Sequence, residues 1–482
     1  MNKSKRDDSH GLTIPLIATT IAAVLCLWTA WCEFPGYTWN EARLAPAFAL
    51  RLGVNPYPLI GEGPLFTWIY GPVGLLINLP AAFATSAIGA LHLESLLNFI
   101  VLIFPLAVIF FSSEELKKRT LGMRWLALSV AVLLIPRSNL VVEAADTPSI
   151  AFGLLSCWLL ARPSEPKARH LTLAALFSAL SIWSKQIAAF LVVAQFAYLF
   201  LSDNRSAAVK YFVWVILFNL VALVIAVGAF GYANLWLNLV AIPGRLPWTD
   251  DFAGRLALRP WALTAQIVLP CIGLLLLRAK GLWPGQNAES GRFFQLIVFV
   301  FLAMLPVGAA GFFKIGGDIN LFHSWDYLVP GAIVLWLASP KSISQERYQI
   351  VGIAVCVIAL RFTDVAFFPR KPFVGHLESA TRLMAEHPHR IWFPLNPIIT
   401  YYGDGKLWHS EDGVHTRFLA NYGLREQDFR RNLPPDLEGI AYPEIIVAPF
   451  SITLLSEFNR SIKAPYWTLH LPSSPAPDKT QK

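Results

Sequence analysis

The chain has 482 residues, enough for about three soluble domains, but its composition is not that of a soluble protein. Hydrophobic residues make up 55 %, charged residues only 15 %, and the mean hydropathy is +0.51. These values exclude a soluble enzyme, a disordered scaffold and a fibrous chain, and they indicate a polytopic membrane protein. The net charge of +8 does not indicate nucleic-acid binding, because no segment carries a dense Lys/Arg block.

Hydropathy predicts eleven membrane-spanning helices. The first follows Lys3, Lys5 and Arg6 and is too long for the core of a signal peptide, so we expect it to be retained. Several later runs are shorter than the roughly 20 residues that a span needs, so their helices must continue into flanking polar residues. The predicted spans are residues 12–31, 93–111, 125–136, 148–161, 171–183, 187–201, 211–230, 262–277, 293–313, 328–338 and 350–368.

A further apolar run, residues 73–90, decides the predicted topology. If it spanned the membrane, fourteen basic residues of the later loops would lie outside the cell. If it lies in the membrane interface, those residues are cytoplasmic and only six remain in the short outer loops. The positive-inside rule therefore predicts an interfacial segment, a cytoplasmic N-terminus and an outer C-terminus. The fourteen residues are Lys117, Lys118, Arg119, Arg124, Arg162, Lys167, Arg169, Arg205, Lys210, Arg278, Lys280, Arg292, Lys341 and Arg347.

The predicted fold is an all-α polytopic membrane module over residues 1–368, with a small α/β outer domain at the C-terminus over residues 369–471. The first outer loop, residues 32–92, is long, amphipathic near its start and repeatedly interrupted by proline. Residues 472–482 are predicted to be a disordered tail. Within the outer domain, the patterns predict helices at 376–386 and 451–462 and strands at 390–402 and 444–449.

The five cysteines show no Cys-x-x-Cys spacing and lie in or beside apolar runs. They therefore predict neither a disulfide framework nor a zinc site, and we interpret them as packing residues. These cysteines are Cys26, Cys32, Cys157, Cys271 and Cys356.

Ionisable residues gather at predicted helix ends on the outer side of the membrane. Charges at membrane depth are costly, so this distribution is the main functional signal in the sequence. A carboxylate there could accept a proton from an acceptor hydroxyl, and a cation could neutralise a departing phosphate. Because the outer side offers no nucleotide pool, the donor would be lipid-linked. The candidates are Glu41, Glu143, Asp146, Lys185, Gln186, Asp318, Asn320 and His323.

Each candidate also has a purely structural interpretation. Glu41 would complement the dipole of the helix that follows it, and Asp146 would cap span four. Lys185 would extend to the interface, as lysines at span ends commonly do. Residues 316–320 would form a turn, and His323 would be an interfacial histidine with its hydrogen bonds satisfied. The functional interpretation depends on these residues occurring together on one side.

At these residues the sequence resembles the GT-C superfamily of integral-membrane glycosyltransferases. The resemblance is to the bacterial lineage related to protein O-mannosyltransferases, lipid A aminoarabinose transferases and lipopolysaccharide-core galacturonosyltransferases. The sequence departs from that lineage in carrying one first-loop acid, Glu41, rather than adjacent Asp-Glu, and in having Ala144 where a basic residue is common. The matching motifs are Glu41, Leu-Gly-Val-Asn-Pro-Tyr at 52–57, Tyr-Gly-Pro at 70–72, Asp146-Thr147, Ser-Lys-Gln at 184–186 and Gly-Gly-Asp-Ile-Asn at 316–320.

The resemblance implies an inverting transferase that moves a sugar from a polyprenyl-phosphate-linked donor to a glycan, lipid or protein acceptor. It would act at the outer face of a bacterial cytoplasmic membrane. Glu41 would be the general base, Asp146 with Glu143 would orient hydroxyl groups, and Lys185 would hold the phosphate. The clustered carboxylates would also allow a divalent metal ion, although no ligand spacing requires one. The remaining substrate-binding candidates are Gln186, Asp318, Asn320 and His323.

The alternative is a non-catalytic polytopic protein, either a transporter of lipid-linked saccharides or an assembly partner in the cell envelope. A transporter should carry ionisable residues near the middle of its spans and often shows repeated halves. The sequence shows neither pattern. Arg361 and Asp364, three residues apart near the outer end of the last span, are interpreted as an ion pair on one helix face.

Overall fold

The computed structural model describes residues 16–25, 27–28, 31, 38–136, 144–163, 167–202, 204–317, 322–338, 374–443 and 455–473. It is mostly helical and contains one small mixed sheet. The chain divides into two compact units. The first unit comprises Met1–Ala30, Asn98–Leu223 and Trp248–Pro369, and the second unit comprises Trp31–Leu97, Val224–Pro247 and Arg370–Lys482.

The helices of both units are numbered in chain order. They are α1 Leu16–Leu25, α2 Thr38–Arg51, α3 Pro72–Asn78, α4 Ala87–Ser112, α5 Leu121–Leu134, α6 Asp146–Ala161, α7 Ala168–Ser184, α8 Ala189–Leu201, α9 Arg205–Phe230, α10 Tyr232–Trp236, α11 Ile242–Arg245, α12 Phe252–Leu258, α13 Pro260–Leu263, α14 Leu269–Ala279, α15 Glu289–Phe312, α16 His323–Ala338, α17 Val374–Glu386, α18 Pro397–Asp404, α19 Glu411–Leu419 and α20 Glu426–Arg430. Short 3₁₀ turns occur at Leu79–Phe83, Leu116–Lys118 and Gln186–Ala188, and π-helical turns at Leu237–Ala241 and Thr264–Val268.

Within the described residues, three helices are long and apolar enough to cross a membrane: α4, α9 and α15. Their length and composition indicate a membrane protein. Helices α4 and α9 begin six residues before the predicted starts at residues 93 and 211. The helices of two shorter apolar runs, α5 and α6, have only 14 and 16 residues, so their extension to a full span stays a prediction. The total of eleven spans stays a prediction, and the last of them, residues 350–368, lies outside the described residues.

Residues 73–90 do not form one continuous helix. Helix α3 and the 3₁₀ turn after it together cover only Pro72–Phe83, and the next helix starts at Ala87. Twelve helical residues rise about 18 Å, well short of the ~30 Å hydrocarbon core. Its helical part is therefore too short to cross that core, and the location of this segment in the membrane interface stays a prediction.

The sheet of the second unit has four strands in the order β1-β2-β4-β3. The strands are β1 Ile391–Trp392, β2 Gly439–Pro443, β3 Arg460–Ala464 and β4 Trp467–Leu471. Strands β1 and β2 are parallel, with Ile391 opposite Gly439, whereas β4 pairs antiparallel with both β2 and β3. The C-terminal segment therefore contains both helices and a sheet, as the predicted small α/β domain requires.

Two of the predicted C-terminal elements are wrong in part. The predicted strand at 390–402 ends at Trp392, because Pro397 occupies the first turn of α18, where proline favours a helix start. The predicted helix at 451–462 is replaced at its end by strand β3, which begins at Arg460 and pairs with β4. The predicted helix at 376–386 is confirmed by α17, and the predicted strand at 444–449 lies outside the described residues.

The first loop and the C-terminal segment share one hydrophobic core in the second unit. Leu65 of the first loop is fully buried against C-terminal residues such as Trp392 and Ile440. The main-chain N–H of Leu65 donates to Nδ1 of His409 at 2.8 Å, and the Leu65 carbonyl accepts from Ser410 N–H at 3.0 Å. The compact unit therefore joins segments that are more than 300 residues apart in the sequence.

Candidate functional site

Three predicted site residues meet inside the first unit. A single carboxylate oxygen, Oδ1 of Asp146, accepts hydrogen bonds from Nζ of Lys185 and from Nε2 of His323. The side chains are 1 %, 2 % and 0 % exposed, respectively. Because an ionised carboxylate only accepts, His323 must carry its proton on Nε2. Three of the residues selected from the sequence, Asp146, Lys185 and His323, therefore contact one another.

Each member of this cluster lies where a helix begins or ends. Asp146 and His323 are the first residues of α6 and α16, and Lys185 is an extended residue between α7 and a 3₁₀ turn. Residue Ala145 occupies the N-cap position of α6, and no side chain caps that helix end. The capping interpretation of Asp146 therefore does not describe its contacts, and Lys185 points to a buried partner rather than to the interface.

Helices α6, α7 and α16 also contact one another one and two turns after Asp146 on α6. Oγ of Ser181 on α7 donates to the main-chain oxygen of Ser149 on α6 at 2.6 Å. The hydroxyl of Tyr327 on α16 donates to the same oxygen at 3.4 Å. A Cβ at Gly153 would lie 2.0 Å from the Tyr327 hydroxyl, so only glycine allows this approach of α16. Since Tyr327 is four residues after His323, the same helix face carries both contacts.

A buried polar network lies further along the same helices. Nε2 of Gln195 donates to Oγ of Ser156 at 2.9 Å, and Oγ of Ser178 donates to Oε1 of Gln195 at the same distance. The hydroxyl of Tyr211 also donates to that amide oxygen. These uncharged groups satisfy one another across α6, α7, α8 and α9, which is how polar residues link helices in an apolar environment.

Glu41 lies in the second unit and has different neighbours. Its carboxylate is 1 % exposed and accepts from Nδ2 of Asn396 at 2.8 Å and from the N–H of Ile399 at 3.2 Å. Burial raises the pKa of Glu41 to about 7, and these hydrogen bonds oppose the shift. A carboxyl with this pKa exchanges its proton near neutral pH, as a general base must.

A second buried carboxyl lies at the start of α19. Burial raises the pKa of Asp412 to about 7, and the charge of Arg43 opposes the shift. Arg43 also interacts electrostatically with Glu94, whose side chain is fully buried. Arg43 follows Glu41 by two residues, so helix α2 carries both an acidic and a basic residue of the second unit.

The remaining predicted residues are distributed as follows. Gln186 begins the 3₁₀ turn directly after Lys185, whereas Glu143, Asp318 and Asn320 lie outside the described residues. Among the residues that the structure describes, no three His, Cys, Asp or Glu side chains are grouped as a metal site would require. The described cysteines, Cys157 and Cys271, are free thiols.

Sequence reasoning missed the partners of two candidates. Asn396 precedes a proline, a pattern typical of a helix start, but nothing in the sequence links it to Glu41, 355 residues earlier. Tyr327 and Gly153 occur in apolar runs and carry no recognisable motif. Their roles follow from how closely the helices approach, which a hydropathy pattern does not define.

The comparisons with known proteins found similarity among solved structures. No protein-family model and no curated protein matches the sequence. Among solved structures, the archaeal oligosaccharyltransferase AglB from Archaeoglobus fulgidus, in complex with an inhibitory peptide and a dolichol-phosphate, is similar with a TM-score of 0.46 and 10 % identity. The similarity covers 92 % of this chain and 70 % of that one.

Proposed function

We propose that the protein is a membrane glycosyltransferase of the inverting GT-C type. It transfers a sugar from a polyprenyl-phosphate-linked donor to a hydroxyl of a glycan, lipid or protein at the outer face of a bacterial cytoplasmic membrane. The observation that carries this proposal is the buried cluster of Asp146, Lys185 and His323. The resemblance of the Ser-Lys-Gln and Asp-Thr motifs to that superfamily supports it.

The chemistry of the cluster suits the phosphate of such a donor. Lys185 carries an ammonium group, one N–H of which donates to Asp146, and ammonium groups bind phosphate oxygens by charge-assisted hydrogen bonds. Asp146 fixes the positions of Lys185 and His323, and an ammonium held in a water-excluded site stabilises developing negative charge strongly. Glu143, Gln186, Asp318 and Asn320 are proposed to contribute hydrogen bonds to the same substrate.

The proposed reaction is a single displacement at the anomeric carbon. Glu41 takes the proton of the acceptor hydroxyl, and the hydroxyl oxygen forms the new bond to that carbon. The bond from the carbon to the donor phosphate oxygen breaks, and its electron pair remains on the phosphate, where Lys185 balances the charge. The configuration inverts because attack and departure occur on opposite sides.

The positions of the charged residues favour this proposal over a transporter. Ionisable groups of a transport pathway are expected near the middle of the spans. Asp146 and His323 are the first residues of their helices, and the polar groups further along α6 to α9 are uncharged and satisfied. This arrangement fits a reaction at one membrane surface.

Two isosteric variants test the function. Asp146→Asn and Glu41→Gln remove the two carboxylates with little change in shape, and Asp250→Asn, an exposed acid of the first unit, is the control. Membranes or purified protein receive labelled polyprenyl-phosphate-linked sugars extracted from the host. We expect each site variant to consume donor at least about 100-fold more slowly than wild type. If both site variants are folded and consume donor at the wild-type rate, the proposed enzymatic role of these acids is wrong.

A further inference from the structure

The side chain of Asn396 joins the C-terminal segment to the proposed base. Asn396 directly precedes α18, yet its side chain makes no capping hydrogen bond to that helix. Its amide donates from Nδ2 to Oε1 of Glu41 at 2.8 Å instead. An ionised carboxylate only accepts hydrogen bonds, so the nitrogen of the amide must face it. The orientation of the Asn396 amide is therefore set by Glu41.

Glu41 supplies the capping that Asn396 does not. The N–H of Ile399, the third residue of α18, donates to Oε2 of Glu41 at 3.2 Å. The partial positive charge at the start of a helix also favours a carboxylate there. One oxygen is thus held by a side chain and the other by the main chain, which restricts the rotation of the carboxylate.

We propose that Asn396 and the first turn of α18 position Glu41 for proton abstraction, so that the C-terminal segment supplies part of the catalytic machinery. This inference rests on the proposed role of Glu41 as general base. Asn396 acts through Glu41 and is therefore a positioning residue. It gives the C-terminal segment a function that no motif in its sequence displays.

The buried oxygen of Asn396 supports a role beyond helix capping. Among the described residues, Oδ1 of Asn396 has no hydrogen-bond partner, and the side chain is 7 % exposed. Buried amide oxygens are normally satisfied, and leaving one unpaired is unfavourable. An acceptor oxygen next to the base is suited to a substrate hydroxyl that donates its hydrogen in this region.

The charged side chains near Glu41 on α2 include Arg43, which interacts with other acidic residues. Arg43, two residues further along α2, interacts with Asp412 of α19 and with Glu94 of α4. The pKa of Glu41 is raised by burial, and hydrogen bonds, the one from Asn396 first among them, oppose the increase. The Asn396 amide is therefore the group whose removal should change the protonation of Glu41 most directly.

A purely structural role for Asn396 makes a different prediction. If Glu41 and Asn396 only stabilise the start of α18, replacing Asn396 lowers stability and lowers activity equally at every pH. If Asn396 positions an active base, its replacement moves the pH at which that base ionises. The hydrogen bond favours the ionised form, so its loss raises the pKa of Glu41.

Asn396→Ser is the central variant, made in the full-length protein in lipid nanodiscs. Serine is a strong N-cap residue, so it removes the amide donor and still favours the start of α18. Asn396→Ala removes the amide donor without supplying a capping side chain. The matched control is Asn432→Ala in the same unit, whose side-chain amide donates to the main-chain oxygen of Asp428 at 3.3 Å.

The readout is the protonation of Glu41 itself, followed as the infrared carboxyl band that disappears in Glu41→Gln. In Asn396→Ser and Asn396→Ala we expect the titration midpoint to rise by about one pH unit, with Asn432→Ala unchanged. The acidic limb of the pH–rate profile for sugar transfer should move by the same amount, with the KM for the donor unchanged.

Two results separate this inference from the proposed function. An unchanged infrared midpoint in both Asn396 variants, or an equal shift in Asn432→Ala, overturns the positioning role whatever the activity. If the midpoint shifts but the protein transfers no sugar, the coupling of Asn396 to Glu41 is supported and the proposed function is wrong.

Discussion

The two units bury charged side chains in different ways. In the first unit, Lys185 is buried against the carboxylate of Asp146, and the pair lies among apolar helices. In the second unit, Arg417 is fully buried and donates to main-chain oxygens, including that of Phe66 at 2.8 Å, and to Oδ1 of Asn238 at 2.7 Å. A charge-to-charge pair stabilises only while both partners are present, whereas a charge held by main-chain oxygens ties separate segments together.

Removing one partner of the first-unit pair should have the largest effect on stability. Asp146→Ala leaves Lys185 buried without its carboxylate, and we expect a loss of about 3–5 kcal/mol in unfolding free energy. The double variant Asp146→Leu/Lys185→Met should be less destabilised than the single variant, because no unpaired charge remains. Thermal unfolding in detergent measures both, with Asp250→Ala as an exposed control. Equal stability of Asp146→Ala and wild type would contradict a direct pair.

Arg417 is the corresponding residue in the second unit. Arg417→Met removes its hydrogen bonds to Phe66 and Asn238 and leaves buried acceptors without donors, so we expect a loss of about 3 kcal/mol. The loss should appear as protease cleavage within the first loop, because Arg417 connects that loop to α19. Arg382→Ala, on the exposed side of α17, should cleave like wild type. Unchanged cleavage in Arg417→Met would show that the loop is held by other contacts.

The second unit should also lose stability as the pH rises. The pKa values of Glu41 and Asp412 are about 7, above those of ordinary carboxyl groups, because both are buried. Their protonated forms therefore stabilise the fold below about pH 4, and this contribution is lost as the pH rises through about 7. We expect each of the two groups to contribute a decrease of about 2 kcal/mol in unfolding free energy between pH 5 and pH 8, measured by denaturant unfolding. In Asp412→Asn, the unfolding free energy should vary less with pH. If it varies with pH as in the wild type, Asp412 does not contribute to the pH dependence.

The smallest expected effect concerns the approach of α16 to α6. In Gly153→Ala, the new Cβ would lie 2.0 Å from the Tyr327 hydroxyl, so the Tyr327 ring or the helices must shift, at a cost of about 1–3 kcal/mol. Gly273→Ala is the matched control, because no atom lies within 4 Å of its added Cβ. It should be neutral or slightly stabilising. Equal stability of the two variants would show that α16 adjusts without strain.

Hydropathy predicted much of the first unit from sequence. Apolar runs located α4, α9 and α15, and the rule that charges at membrane depth are rare selected Asp146 and Lys185. His323 was included as a substrate-binding candidate, but its direct contact with Asp146 could not be predicted. That contact depends on how closely α16 approaches α6, which Gly153 determines and no periodicity reveals.

The second unit was predictable only in part. The amphipathic pattern located α17, but Pro397 begins a helix where an apolar run predicted a strand. Pairing between β3 and β4 outweighed the helical pattern before residue 464, as tertiary contacts commonly do. The contact of Glu41 with Asn396 spans 355 residues, and single-sequence patterns contain no information at that range.

The central claim is that Lys185 binds the phosphate of a lipid-linked sugar donor. The most direct measurement is the rate at which Lys185→Met consumes labelled polyprenyl-phosphate-linked sugar, compared with Lys280→Met, an exposed lysine of the same unit. We predict a decrease of about 100-fold in Lys185→Met, partial recovery in Lys185→Arg, and the wild-type rate in Lys280→Met. A folded Lys185→Met protein that consumes donor at the wild-type rate would contradict the proposed function.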